Sequence, residues 1–276
     1  MAISAQDVNK LRKMTGAGMM DCKKALTEAD GDFERAIEIL RKKGQKISAS
    51  RAEKEVSEGS VFILSNENDT RSVLIALNCE TDFVAKNEEF QNLGAAIVQA
   101  AASNNPSGID ELLKLKVDQL TVNDKIIELM GKIGEKIEIS AYEVMEGEKV
   151  VTYKHANSKL GVLVALKGVN GSDVVDAGKD VAMQIAAMNP VAVDKDNVPR
   201  EVVEKEIEIG KEQARAEGKP EAMLEKIAVG KLNKFYKEYT LLNQQFVKDN
   251  SLTVGKYLEN VKNGLTVASF KRIAIG

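Results

Sequence analysis

Two parts of this chain repeat one pattern of strands and a helix, and this repeat limits the fold more than any other feature. Residues 74–77 read Leu-Ile-Ala-Leu, and residues 163–166 read Leu-Val-Ala-Leu. The helical pattern at 94–106 has the same length and the same alanine-rich end as the pattern at 178–190. In each copy another strand-like run and a turn precede the leucine-containing strand. The sequence therefore predicts an α+β core built from a duplicated hairpin-plus-helix unit.

The two copies differ in the connection between strand and helix, where the first copy is five residues longer. The extra length falls in the run Asn-Cys-Glu-Thr-Asp-Phe-Val-Ala-Lys-Asn, residues 78–87. Loops at the edge of a scaffold carry function more often than core segments do. Here Asp82 and Phe83 place a carboxylate beside an aromatic ring, which suits a wedge that enters another protein. The pair suits catalysis poorly, because no base, metal cluster or nucleophile is near it in sequence.

Apolar periodicity and turn residues divide the chain into four regions. Residues 1–45 are predicted to form three short helices, and residues 46–57 a polar linker that is helical or flexible. Residues 58–145 and 146–276 contain the two copies of the repeated unit. Within the second, residues 199–240 are predicted to form an inserted antiparallel hairpin of two long helices. The pattern alone allows two arrangements: an arm that projects towards a partner or a second copy, or a pair packed flat on its own core.

The N-terminal region carries signals for the ends of its helices. Ser4 and Asp7 fit a capping box at the start of the first helix. The turn at residues 30–32 can cap the third helix, and Gly44 is expected to end it. A bundle of this size buries little apolar surface, so such modules usually serve as binding units.

The composition restricts the partners and the compartment. The net charge of −3 gives no basic surface for phosphate backbones, so no direct nucleic-acid partner is expected. The cations at residues 41–43 fall in the last turn of a predicted helix, where they stabilise the helix dipole. Cys22 and Cys79 lack metal-ligand spacing and favour a reducing compartment. Since no apolar run approaches ~18 residues, no membrane span is expected, and the chain is expected to be cytoplasmic.

The sequence lacks the residue groups that most enzymes need. The one histidine, His155, cannot by itself form a histidine-based metal site or a nucleophile–base pair. No phosphate-binding loop occurs, and no glycine-rich dinucleotide motif follows a predicted strand. We therefore expect no catalytic residue, no metal ligand set and no cofactor, and a binding protein more than an enzyme.

Three passages of the chain carry a family resemblance. They are Leu11-Arg12 with the run from Thr15 to Leu26, the run at 78–87, and Glu225-Lys226-Ile227 with Gly230, Lys234-Phe235 and 245–249. These passages resemble the translation elongation factor Ts family, the nucleotide exchange factors of elongation factor Tu. The resemblance covers nearly the whole chain. It implies a ubiquitin-associated-like (UBA-like) helical module at the N-terminus, a two-part α+β core, and a protruding antiparallel coiled coil that mediates dimer or partner contacts.

The resemblance also implies a mechanism. In this family the Thr-Asp-Phe-Val motif, here Thr81, Asp82, Phe83 and Val84, carries the exchange activity. Phe83 is implied to insert between two helices of the partner GTPase domain, with Asp82 beside it. The insertion disturbs the Mg²⁺ site of the partner indirectly, and the partner then loosens its hold on GDP. The alternative for Phe83 is an apolar staple onto its own helix.

Four further residues follow from the resemblance. The N-terminal module is implied to dock on the GTPase domain, with Leu11, Met19 and Met20 as candidate contacts. The alternative is that these side chains, Leu11 among them, fill the core of the bundle. Many relatives have histidine in a Met-His-Ile-Ala-Ala motif where this chain has Gln184, so a partner contact there would be a neutral hydrogen bond.

A second functional class is also compatible with the sequence. The chain could be a ubiquitin-like or RNA-associated adaptor in translation that acts through the N-terminal helical module alone. That interpretation leaves Asp82 and Phe83 without a role, and the acidic charge balance weakens its RNA version.

Overall fold

The computed structural model describes residues 3–276, which fold into a mixed α and β protein. The helices are α1 (Ala5–Thr15), α2 (Met19–Glu28), α3 (Phe33–Ser50), α4 (Asp82–Ala85), α5 (Glu88–Asn104), α6 (Ile109–Leu112), α7 (Val122–Ile133), α8 (Val175–Met188), α9 (Arg200–Ala216), α10 (Glu221–Tyr239) and α11 (Val254–Val261). The strands are β1 (Glu58–Ser65), β2 (Arg71–Cys79), β3 (Lys116–Val117), β4 (Leu120–Thr121), β5 (Ile137–Glu146), β6 (Lys149–Lys154), β7 (Leu160–Lys167), β8 (Gln245–Phe246), β9 (Asp249–Thr253) and β10 (Thr266–Ala274). Short 3-10 turns lie at Lys195–Asn197 and Leu241–Asn243.

Helices α1 to α3 form the predicted N-terminal three-helix module. The capping box is confirmed, because the Ser4 hydroxyl accepts the Asp7 amide at 3.1 Å and the Asp7 carboxylate accepts the Ser4 amide at 3.2 Å. Gly16 ends α1 with φ 65, and the Asp32 carboxylate caps α3 by accepting the Arg35 amide. These caps fix where each helix starts or stops, so the apolar stripes of the three helices meet in one small core.

The prediction that Gly44 ends the third helix is wrong, since α3 continues to Ser50. Gly44 lies where α3 crosses α7, and a Cβ at this position would lie 2.8 Å from the carbonyl oxygen of Ile127. A Cβ on Gly131 of α7 would lie 3.0 Å from the Gly44 Cα. Glycine therefore serves here for close helix packing and not as a helix stop. As a result, α3 extends into the predicted linker and attaches the module to the core.

The two copies of the predicted repeat form two antiparallel sheets with the same strand order. The first sheet is ordered β1-β2-β5 and the second β10-β7-β6, so the second strand of each hairpin is central. Leu74 packs with Leu163 and Ala165 between the two sheets. Ile75 and Val164 face the opposite way, towards α5 and α8 respectively. The core therefore has four layers, in the order helix, sheet, sheet, helix.

A glycine of the main helix packs over the first hairpin strand in each copy. A Cβ on Gly94 of α5 would collide with the ring of Phe62, and a Cβ on Gly178 of α8 would collide with Val151. Phe62 and Val151 are equivalent, because each pairs with the same position of the repeated central strand. The absence of a side chain at each glycine lets the helix approach its sheet closely.

Further equivalent positions extend the repeat over the whole of each copy. Both main helices end at a left-handed asparagine, Asn105 with φ 51 and Asn189 with φ 44. In each sheet a β-bulge in the outer strand, β5 or β10, lies opposite the same alanine and leucine of the repeated motif in the central strand. The sequence Leu-Thr-Val recurs at 120–122 and 252–254, and its threonine caps α7 and α11. The same local signals therefore generate the same elements twice.

Helices α9 and α10 form an antiparallel pair in which each packs mainly against the other. Their buried residues are confined to the seam between them, where Gly210 approaches Ala228 closely. The base of the pair is joined to the segment that follows α8, because the Leu241 amide donates to the Ala192 carbonyl at 2.9 Å. The narrow seam shows that the pair is not packed flat on the core. None of the helices in residues 3–276 is long and apolar enough to cross a membrane.

Candidate functional site

The five-residue difference between the copies produces one extra helical turn, α4, directly after the central strand β2. The Thr81 hydroxyl caps α4 by accepting the Val84 amide at 3.4 Å. Val84 and Ala85 are buried in the first core. Successive helical residues point about 100° apart, so burial of Val84 turns the preceding side chain outwards. Phe83 is accordingly 82% exposed, and its ring does not pack as a staple onto the following helix.

Residues far away in sequence hold this turn. Thr81 donates its amide to Glu135 Oε2 at 3.0 Å and its hydroxyl to Glu135 Oε1 at 2.8 Å. On the other side, the Gln91 side chain donates to the Ala85 carbonyl at 2.6 Å. The backbone around Phe83 is therefore fixed from two directions while the ring stays in solvent.

Glu80 links the turn to the N-terminal module. Its carboxylate accepts Arg51 Nη1 at 2.7 Å and the Lys136 amide at 2.6 Å. Partial burial raises the pKa of Glu80, but the Lys136 amide and the Arg51 guanidinium outweigh it and hold that pKa below its ordinary value. Arg51 directly follows α3, so this ion pair joins the module to the base of the turn.

Asp82 lies at the surface beside Phe83. Its carboxylate accepts Lys86 Nζ at 2.7 Å, and this hydrogen bond holds the pKa of Asp82 below its ordinary value. Asp82 is therefore ionised at neutral pH and offers a negative charge next to an apolar ring.

Cys79 is a buried structural residue at the end of β2. Its thiol donates to the Thr81 carbonyl at 3.2 Å. Burial, with the nearby negative charges of Glu135 and Glu58, raises the pKa of Cys79 to about 12. The thiol is therefore neutral at physiological pH and unsuited to nucleophilic chemistry.

The predicted contact residues of the N-terminal module separate into two groups. Met19 and Met20 lie at the start of α2 and are exposed, as is Met14 at the end of α1, which the sequence reasoning did not single out. Leu11 is fully buried in the core of the module. The structure therefore places Leu11 in the core of the module, which is the second of the two alternatives. The prediction of a direct partner contact through Leu11 is wrong.

Gln184 is also fully buried, which corrects the idea that it offers a hydrogen bond to a partner. Its amide donates to Gln244 Oε1 and to the Gln245 carbonyl, both at 3.1 Å, and accepts the Val247 amide at 2.9 Å. A neutral amide can donate and accept at once, so Gln184 of α8 provides hydrogen-bond partners for the backbone and side chains of residues 244–247, which include β8.

Sequence reasoning missed Glu135 and Arg51 as parts of the site. Glu135 lies 54 residues from Thr81, and Arg51 lies 29 residues from Glu80. Hydrophobic periodicity and short motifs report local structure only, so neither contact has a signal in one sequence. The structure brings Glu135 to Thr81 because β5, which begins two residues after Glu135, is the neighbour of β2.

A fixed backbone with an exposed aromatic ring at a scaffold edge has the character of a protein-binding surface. The fold and this turn thus place the chain in the class of α+β proteins that carry an exposed aromatic side chain on an ordered loop at a sheet edge. Residues 80–276 match the family model described as Elongation factor TS. This chain belongs to the elongation factor Ts family.

Three similar proteins that carry the name of this family align with the chain over almost their whole length. The protein named Elongation factor Ts of Amoebophilus asiaticus is 58% identical over 276 residues, which is 100% of either chain. The one of Cytophaga hutchinsonii is 60% identical over 274 residues, 99% of either chain. The one of Christiangramia forsetii is 50% identical over 275 residues, also 99% of either chain.

Proposed function

We propose that this protein is a translation elongation factor that promotes GDP release from elongation factor Tu. The observation that carries the proposal is the exposed Phe83 in the Thr-Asp-Phe-Val motif of a member of the elongation factor Ts family. The protein acts as a guanine nucleotide exchange factor in the cytoplasm and has no catalytic chemistry of its own.

Phe83 acts as a wedge between two helices of the GTPase domain, with Asp82 at its side. An aromatic ring that passes from 82% exposed to buried is a strong anchor for a complex. The octahedral shell of Mg²⁺ tolerates little displacement, so a small shift of the partner's helices weakens its hold on the metal and on GDP. Thr81 and Val84 contribute indirectly, because one caps the turn and the other anchors it in the core.

Exchange in this scheme is a coupling between two ligands of one GTPase. If the factor weakens nucleotide binding by some ratio, nucleotide weakens binding of the factor by the same ratio. The factor therefore stabilises the nucleotide-free GTPase, and the excess of GTP over GDP in the cell gives the cycle its direction.

The remaining parts of the molecule serve the same complex. The N-terminal module is UBA-like and docks on the GTPase domain through the exposed Met19 and Met20, since methionine adapts well to a partner surface. The α9–α10 pair is a coiled coil that contacts the partner or a second copy of the chain. No direct contact with nucleic acid or membrane is part of the proposal.

The experiment is release of a fluorescent GDP analogue from purified elongation factor Tu at fixed Mg²⁺, with and without this protein. The unmodified protein is expected to accelerate release strongly. Phe83→Ala is expected to reduce the acceleration about 30-fold, in keeping with loss of a hot-spot anchor. Val261→Ala is the matched control, because Val261 is another exposed apolar side chain on the scaffold.

The outcomes separate the two functional classes. No acceleration by the folded, unmodified protein would refute the exchange function, and the adaptor that acts through the N-terminal module would then be the better hypothesis. Acceleration that Phe83→Ala leaves unchanged would retain the exchange function and refute the wedge.

A further inference from the structure

The β2–β5 ladder ends where the turn begins, and two carboxylates continue it. The last backbone pair of the ladder is Cys79 with Ile137. Beyond this pair, Glu80 accepts the Lys136 amide through its side chain, and Glu135 accepts the Thr81 amide through its side chain. Each segment thus caps the backbone of the other, and we name these four residues, 80–81 and 135–136, the carboxylate clasp.

We propose that Glu135 is a positioning residue for the exchange activity, because its carboxylate holds the turn that presents Phe83. This inference rests on the proposed function above. Within residues 3–276 the hydrogen bonds of Glu135 are with Thr81, so in this scheme Glu135 acts only through the conformation of residues 81–85.

The first reason lies in the capping of α4. In a capping box, the acidic side chain at the third helical position accepts the amide of the capping residue. In α4 that third position is Val84, which is buried and has no carboxylate to offer. Glu135 supplies the missing acceptor from a distant loop. Val84 can therefore anchor the turn in the core while Glu135 caps the backbone.

The second reason lies in the Thr81 hydroxyl. It donates to Glu135 Oε1 at 2.8 Å and accepts the Val84 amide at 3.4 Å. With its proton directed to Glu135, the oxygen lone pairs are free to accept from α4. Glu135 thereby sets the Thr81 rotamer, Thr81 starts α4, and α4 sets the direction of Phe83.

The third reason is that a one-turn helix has little stability of its own. Four residues form too short a helix to persist in water without tertiary contacts. A loop that is ordered before binding does not lose conformational entropy at the interface. Loosening the clasp is therefore expected to weaken the productive complex while the two sheets remain folded.

The test compares Glu135→Ala, Glu135→Gln and Glu128→Ala in the full chain. Glu135→Ala removes both acceptors, whereas Glu135→Gln keeps the shape and can still accept the Thr81 amide. Glu128→Ala is the control, because it also removes one negative charge, here from α7. Among the described residues, Glu128 forms no hydrogen bond with residues 79–87. The first measurement is the rate of hydrogen exchange with solvent at the Thr81 and Val84 amides of the isolated protein. This rate does not depend on any nucleotide exchange activity.

The expected result is at least about tenfold faster amide exchange at residues 81 and 84 in Glu135→Ala, an intermediate change in Glu135→Gln, and none in Glu128→Ala. Acceleration of GDP release should fall about tenfold in Glu135→Ala at limiting factor. In a Phe83→Ala background the additional loss should disappear, since Glu135 has nothing left to position.

Each contrary outcome is decisive. Faster amide exchange with unchanged GDP release would overturn the positioning role, and so would additive losses in the Phe83→Ala background. If Glu135→Ala lowers Tm markedly, Glu135→Gln carries the same comparisons. If the unmodified protein does not accelerate GDP release from elongation factor Tu, both the exchange function and this role of Glu135 are refuted. The assay of the unmodified protein distinguishes that outcome from one in which only the role of Glu135 fails.

Discussion

The two copies of the repeated unit share their scaffold and differ where the central strand leaves the sheet. In the second copy, Gly168 follows β7 with φ 77, and a Cβ there would collide with the carbonyl oxygen of Gly264. Lys262 Nζ donates to the Gly168 carbonyl at 2.7 Å, and Val169 is buried. The second connection is thus packed tightly against the rest of its copy.

In the first copy the equivalent connection has room for a helical turn. Among the described residues no backbone–backbone hydrogen bond joins 80–81 to 135–136, and the side-chain carboxylates of Glu80 and Glu135 link the two segments instead. The comparison shows how one copy of a duplicated scaffold acquires an ordered turn with an exposed aromatic side chain. The extra residues change a single connection, while the hairpin, bulge, helix glycine and asparagine cap stay as they are in the other copy.

The largest expected effect tests the tight packing of the second connection. Gly168→Ala is expected to lower the free energy of unfolding by at least ~3 kcal/mol, because it adds left-handed strain to a collision with backbone. Gly171→Ala is the matched control, with φ 74 and open space around its Cβ, and should lose about 1 kcal/mol from strain alone. Urea unfolding measures both. Equal losses would show that packing at Gly168 is not the difference between the copies.

A smaller effect tests the equivalence of the two scaffolds. Gly94→Ala and Gly178→Ala should each lower the free energy of unfolding by about 1–3 kcal/mol, since each new Cβ overpacks the contact with the strand below. Gly230→Ala on the open face of α10 should instead raise it by about 0.5–1 kcal/mol. A large loss in one copy and none in the other would contradict the equivalent packing.

The third prediction concerns the charges that hold the first connection. Arg51→Gln should lower the free energy of unfolding by about 1 kcal/mol at pH 7. The pKa of folded Glu80 lies below its ordinary value of 4.5, so the ionised form is the one stabilised by folding. Its contribution is complete above pH 4.5 and is lost as the pH falls below that value.

Urea unfolding of native and Arg51→Gln protein at pH 7 and near pH 3 checks this sign. The difference between the two proteins should shrink at the lower pH. A difference that persists or grows on acidification would exclude the Glu80 carboxylate as the partner responsible.

The smallest expected effect on stability belongs to the residue with the largest expected effect on function. Phe83→Ala should change the free energy of unfolding by less than about 0.5 kcal/mol, because the ring is 82% exposed and supports no core contact. Urea unfolding of this variant belongs beside its GDP-release assay. A marked loss of stability would mean that the ring has a structural role.

Much of the fold was accessible from the sequence because the relevant signals are local. Capping by Ser4 and Asp32, the turn at residues 30–32, the two hairpins and the main helices all lie where the patterns predict them. The predicted role of Gly44 is wrong because glycine is favoured both at the end of a helix and where two helices cross closely. Only the neighbouring helix distinguishes these two uses.

The candidate site also has features that could be predicted from the sequence and features that could not. The motif at 81–84 and its place after a strand were readable from residue order. The burial of Leu11 and Gln184 was not, because an apolar or amide side chain can serve a core or a surface equally well. Membership of the elongation factor Ts family rests on the full-length similarity and does not depend on these two residues.

The sequence by itself determined the elements, their duplication and the insertion that sets the first copy apart, since propensity, capping and periodicity act over a few residues. Tertiary structure alone decided which side of the turn faces solvent and what holds it there. The exposure of Phe83 follows from the burial of its neighbour Val84, and the clasp joins Thr81 to Glu135 across two strands of one sheet. Contacts of this kind form only when the folded chain brings distant residues within hydrogen-bond distance.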